Sequence, residues 1–205
     1  MAVYTTVDDT ALNGFLTAYD IGEVLSFAGI AEGVENSNYL LRTTKGHFIL
    51  TLYEKRVDAD DLPFFIELMT HLSAAGVNCP VPVTARDGRI LHELAGRPCA
   101  LFSFLDGTFS RFPNRTKCRA LGASLAELHV KSQGVSRQRA NALGPASWTP
   151  LLHSIGTDAN ILAEGMHTTI TTRLEQILQD WPTNLPHGII HADLFPNNVL
   201  FVGDK

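Results

Sequence analysis

Residues 188–201 read GIIHADLFPNNVLF, and the order of side chains in this stretch decides how the rest of the chain is to be read. His191, Asp193 and Asn198 form the pattern H-x-D-x-x-x-x-N. An aliphatic pair, Ile189-Ile190, precedes it and a second apolar run, Val199-Leu200-Phe201, follows it. Pro196 sits inside. Two short strand-like runs, expected to be buried, thus flank a polar turn that offers one carboxylate, one imidazole and one amide. His187 and His191 are four apart, a spacing that gives metal ligands only on a helix, where both rings share a face. Pro186, Gly188 and the β-branched pair speak against a helix here.

Working outward, the first half of the chain alternates strand-like runs with turn signals. Residues 8–19 carry Leu12, Phe15, Leu16 and Tyr19 on one helical face, with Asp8 and Asp9 at the start to suit the helix dipole. Residues 24–31, 38–43 and 48–53 are rich in aliphatic and aromatic side chains, and turns at 32–37 and 44–46 separate them. A helix is expected over 60–75, with Leu62, Phe65, Ile66, Met69 and Leu72 on one face and Gly76 as its stop. Residues 80–84 and 89–94, then 98–105, read as two further strands around an Ala-Gly-Arg turn. From Asn114 onward the periodicity is helical, over 116–131 and 170–181, with a polar loop at 134–149. The expectation is an α+β, protein-kinase-like chain. Residues 1–105 form a lobe built on a five-stranded antiparallel sheet with one inserted helix, and 106–205 a mainly helical, incomplete lobe that contains the polar turn.

Composition narrows the function classes. The net charge of −5 over 205 residues gives no basic footprint, so neither nucleic acid nor an anionic membrane surface is an expected partner. Three dispersed cysteines, Cys79, Cys99 and Cys118, suggest neither a disulfide framework nor a zinc knuckle. No basic, apolar leader and no long apolar run is visible, so a cytoplasmic location is expected; oligomeric state is not legible.

In a sheet lobe followed by a helical lobe, the 191–198 turn has the layout of a phosphoryl-transfer loop. Asp193 would orient or deprotonate an acceptor hydroxyl, His191 would buttress the turn, and Asn198 would bind magnesium. The alternative is an Asp/Asn turn with a satisfied histidine. Gly33, Asn36, Ser37 and Asn38 lie in the turn between the first two strands, where a loop covers nucleotide phosphates; an ordinary hairpin has the same composition. Residues 100–107 end in an Asp-Gly turn at the lobe boundary. There Ser103 and Leu105 are candidates for main-chain contacts to adenine, with Phe102 and Phe104 lining the pocket, although a plain buried strand explains these side chains equally well.

The segments GVENSNYLL (33–41), FILTLYEKR (48–56), FIELMTHLSAAGVNCPVPV (65–83), FSFLDG (102–107), LGASLAELH (121–129) and HADLFPNNVLF (191–201) resemble the aminoglycoside-phosphotransferase-like small-molecule kinases, most closely the branch that acts on L-homoserine. The resemblance implies ATP and Mg²⁺ as cofactors and L-homoserine as acceptor. It implies Asp193 as catalytic carboxylate, Asn198 as metal ligand, Ser103 and Leu105 at adenine, and Glu67 as the acid that pairs with a strand-three cation. Related acceptors are choline, methylthioribose, hydroxylysine and aminoglycosides, and a non-catalytic nucleotide-binding protein is a further alternative. Two departures stand out. Thr51 occupies the cation's position, with Lys55 and Arg56 as possible substitutes or solvated charges. No Asp-Phe metal site follows Asn198, and Asp204 lies in a turn-like ending. The expectation is a chain matching only roughly the first two thirds of a family member, with negligible or no turnover and an apolar exposed face on its helical part.

Overall fold

The computed structural model describes residues 3–31, 35–54 and 58–203. Gly33, Lys55, Arg56 and Asp204 therefore lie outside the described residues. Internal contacts divide the chain into two units, Met1–Arg137 with Gly188–Lys205, and Gln138–His187.

The first unit opens with α1 (Asp9–Leu16), capped by the Asp8 carboxylate, which accepts from Ala11 N at 2.8 Å. Five strands follow: β1 (Val24–Gly29), β2 (Asn36–Thr43), β3 (Gly46–Tyr53), β4 (His92–Leu94) and β5 (Arg97–Ser103). They form one antiparallel sheet in the order β1-β2-β3-β5-β4. The helix α2 (Leu62–Ala74) is inserted after β3 and stops at Gly76, whose φ of 81° suits a residue without a side chain.

Alternation along β2 and β3 assigns the two faces of the sheet. Ser37, Tyr39, Leu41 and Thr43 are buried on one face, where Leu50, Leu52, Cys99 and Leu101 meet Leu12, Leu16 and Tyr19 from α1 and its flank. On the other face Ile49, Tyr53, Ala100 and Phe102 pack with Ile66 and Met69 of α2. Burial pushes the Tyr53 phenol up to about 12, with Cys99 adding to the shift.

Several expectations are corrected in detail. The second strand starts earlier than expected: β2 begins at Asn36, so Asn36 and Ser37 belong to it rather than to the turn at 32–37. Residues 80–84 form only a single bridge, Pro82 to Phe102, since Pro80 and Pro82 have no amide to give a ladder. The loop at 134–149 ends early: α4 (Pro145–Ile155) starts with Pro145 in the first turn, where a missing N–H costs nothing.

The helix α3 (Arg115–Lys131) closes the helical part of the first unit, with Asn114 accepting from Lys117 N at 2.9 Å. In the second unit, α4 is followed by α5 (Met166–Gln179). Leu152, Leu174 and Leu178 line a cleft there with His153, His167 and Glu175. Trp148 meets Trp181 edge-on, ring centroids 5.1 Å apart. Among the described residues no helix is long and apolar enough to cross a membrane.

Candidate active site

The polar turn at 191–198 belongs to the first unit and is exposed. Ala192 takes a left-handed backbone, φ 62°, a conformation that costs an alanine on the order of 1 kcal/mol and that turns the chain sharply between His191 and Asp193. The Asp193 amide then points toward His191 Nδ1, at a long 3.4 Å. A 3-10 turn over Pro196–Asn198 brings Asn198 back, its amide donating to Phe195 O at 2.9 Å. Asn198 Nδ2 donates both to the Asp193 carbonyl, at 2.7 Å, and to Asp193 Oδ2, at 2.9 Å. Both amide hydrogens are spent, so Asn198 Oδ1 faces away from Asp193 and has no partner among the described residues. Asp193 retains Oδ1 in the same way.

Two readings of this turn are corrected. His191 is exposed, which speaks against the alternative in which it would be a buried, satisfied histidine. The preceding apolar pair is not a buried strand: Ile190 is 57% exposed, and Ile189-Ile190 pair with no strand among the described residues. What anchors the turn lies on its far side. Phe201 is buried and exchanges two hydrogen bonds of 3.0 Å with Thr108, just past β5. Gly107 permits that approach, because a side-chain carbon there would fall 2.9 Å from Leu200 Cβ. The Lys117 ammonium of α3 lies 5.1 Å from the Phe201 ring centre.

Asn36, Ser37 and Asn38 stand in β2 rather than in a loop, and alternation separates them. Ser37 is fully buried on the α1 side. Its hydroxyl accepts from Tyr4 N (2.8 Å) and Thr5 N (3.0 Å) and donates to Glu54 Oε1 (2.7 Å), so it has no donor for a phosphate. Glu54 Oε2 in turn meets Arg97 Nε at 3.1 Å. Asn36 and Asn38 face the α2 side. Asn38 Oδ1 accepts from the Thr51 hydroxyl at 2.8 Å, directly across the β2–β3 ladder, and Asn36 Oδ1 is buried with no partner among the described residues.

Glu67, on α2, is engaged away from strand three. Its Oε1 accepts from Ser136 N (2.9 Å), Ser136 Oγ (2.7 Å) and Arg137 N (3.3 Å), and Oε2 meets Arg137 Nε at 3.1 Å. The Ser136 hydroxyl, with the two amides and the guanidinium, holds its carboxyl below the usual range. One turn on, His71 Nε2 lies 2.8 Å from the Lys131 carbonyl at the end of α3. At the end of β5, Ser103 N donates to Val81 O at 2.9 Å and Phe104 N to His47 O at 3.3 Å. Leu105, half-buried, has no main-chain partner among the described residues, which leaves its N–H and C=O available to a ligand edge.

The Thr51–Asn38 pair was within reach of sequence reasoning, since pairing Thr43 with Gly46 across a two-residue turn sets Asn38 opposite Thr51. Ser136 and Arg137 carried no local signal, lying 69 and 70 residues from Glu67. For a magnesium ion the donor set is partial. Asn198 Oδ1 and the Asp193 carboxylate suit a hard cation, but no group of three or more His, Cys, Asp and Glu converges among the described residues.

The chain is 55% identical over all 205 residues to homoserine kinase of Nitrobacter hamburgensis, 53% to that of Bradyrhizobium diazoefficiens and 50% to that of Rhizobium meliloti, and it spans 63% of the length of each. Among solved structures it is similar to the spectinomycin phosphotransferase APH(9)-Ia in complex with ADP and spectinomycin, with a TM-score of 0.71 at 14% identity over 96% of this chain and 66% of that one. It is also similar to a microcompartment-associated aminopropanol kinase, with a TM-score of 0.63 at 23% identity over 94% of this chain and 64% of that one. These likenesses show the kinase-like fold. Residues 26–205 match the phosphotransferase enzyme family, APH, and the chain belongs to it.

Proposed function

We propose that the protein carrying this chain transfers a phosphoryl group from ATP to the side-chain hydroxyl of L-homoserine, giving O-phospho-L-homoserine and ADP, a step toward threonine. The observation that carries this reading is the 50–55% identity to bacterial homoserine kinases along the whole chain. In the proposed roles, Asp193 Oδ1 accepts the proton of the attacking hydroxyl while Oδ2 stays tied to Asn198. The strained Ala192 and the Phe195–Asn198 turn hold the carboxylate in place, and His191 buttresses the turn from outside. Asn198 Oδ1 would hold magnesium, which would supply charge neutralisation on the transferring group. Leu105 offers its main-chain N–H and C=O to adenine, with Ser103, whose N–H is spent on Val81 O, beside it, at the junction of a 1–105 nucleotide lobe and a 106–205 helical lobe. A cytoplasmic location, where ATP and amino acids are at hand, completes the reading.

The test is homoserine-dependent ADP release by the product of the full reading frame that contains these residues, beside the Asp193→Ala variant. Loss of a positioned base is expected to lower kcat on the order of 10²–10⁴-fold. Equal turnover by both proteins, or a clear preference for choline or an aminoglycoside, overturns the reading. Weak turnover is expected from the 205 residues alone, given the partial donor set around Asn198.

A further inference from the structure

The geometry points to a charge-free phosphate anchor in which Thr51 positions the Asn38 side-chain amide; this rests on the nucleotide-binding reading above. The sheet face toward α2 is presented by Asn36, Asn38 and Leu40 from β2, Ile49, Thr51 and Tyr53 from β3, and Ala100 and Phe102 from β5. None of these carries a charge at neutral pH, and Arg42, which the same alternation puts on this face, stands four residues along β2 from Asn38, opposite His47, so among the described strand residues this face offers phosphate no cation beside Asn38.

It offers an oriented donor instead. A free asparagine can turn either its oxygen or its nitrogen outward, and an outward oxygen repels phosphate. Here the Thr51 hydroxyl donates to Asn38 Oδ1 at 2.8 Å, which fixes the oxygen inward. The two Nδ2 hydrogens then face away from Thr51, and Nδ2 has no partner among the described residues. Thr51 is almost fully buried, so its hydroxyl is held to this one task. Thr51 is a positioning residue, and Asn38 makes the contact.

Glu67 completes the arrangement by its absence from it. A carboxylate facing this sheet without a partner cation would repel a nucleotide. In this chain Ser136 hydrogen-bonds it and Arg137 matches its charge.

The test is titration of the full chain with MgADP and with adenosine, for wild type, Thr51→Val, Thr51→Ser and Asn38→Asp. Valine keeps the shape of threonine and removes the donor. Thr51→Val is expected to weaken MgADP about tenfold, the equivalent of one hydrogen bond to a charged group, and adenosine less than about twofold. Thr51→Ser keeps the hydroxyl and stays within about twofold of wild type for both ligands. Asn38→Asp removes the donors and adds a negative charge, and loses MgADP at least about tenfold with adenosine retained. Equal losses for the two ligands, or no loss of MgADP in Thr51→Val and Asn38→Asp, overturn the inference while the nucleotide reading stands. Wild type that binds neither ligand overturns the nucleotide reading, and this inference with it.

Discussion

The hydroxyl of Ser37 shows how much a single buried atom can organise. It joins two amides of the N-terminal segment to the Glu54 carboxylate, and Glu54 passes the connection on to Arg97. Ser37→Ala leaves two amides and a carboxylate short of a partner in a buried place, and is expected to cost about 1–3 kcal/mol of unfolding free energy in denaturant titration. The same cluster sets a pH dependence. Burial alone would raise the Glu54 carboxyl, but hydrogen bonds from Ser37 and Thr5 and the Arg97 guanidinium outweigh it and hold the value below the usual range. A depressed folded-state value means that the contribution is complete above the unfolded value and is lost as pH falls through the folded one. Denaturant midpoints measured from neutral to acid pH should therefore fall less steeply in Glu54→Gln than in wild type; parallel curves would remove Glu54 from the acid limb. The polar turn that carries Asp193 and Asn198 was legible in the sequence because its signals are local. The duty of Ser37 was not, since its partners lie 17 to 33 residues away and alternation along β2 decides which way it faces.

At the level of elements, the β4–β5 connection shows a turn made with one unfavoured residue. Leu94 pairs with Arg97, so Ala95 and Gly96 are the whole loop, and both have positive φ, 51° and 71°. That is the twist a two-residue hairpin prefers, but Ala95 carries a side chain where glycine or asparagine relieves strain. Ala95→Gly is expected to raise stability by about 0.5–1 kcal/mol, read as a higher denaturant midpoint at unchanged slope. No change would mean that the unfolded chain gains as much freedom as the turn loses strain. The five-stranded antiparallel sheet and the inserted helix were readable because their periodicities are strong and turn signals punctuate them, whereas the order of the strands was not read. The helix α4 was not, because Pro150 inside it argues against a helix and only packing in its own unit outweighs that preference.

Over the whole molecule, apolar surface is distributed unevenly. In the unit Gln138–His187, Leu143, Ile161 and Leu162 are each more than 80% exposed, and α5 has no buried residue. The chain is therefore expected to bind a hydrophobic dye strongly, and Ile161→Lys with Leu162→Lys to reduce the signal without changing helix content by circular dichroism. A wild-type chain that leaves the dye dark would show that this surface is covered in solution. The sheet and the turn at 191–198 also differ in when they can exist. Every strand of the sheet is present once the chain has reached Ser103, whereas the turn is fastened only when Phe201 returns to Thr108. A nascent chain can thus finish its sheet 98 residues before Phe201, which fastens the Asp193 turn, is made. A molecule halted between the two therefore holds a complete sheet without the carboxylate proposed above to take the proton.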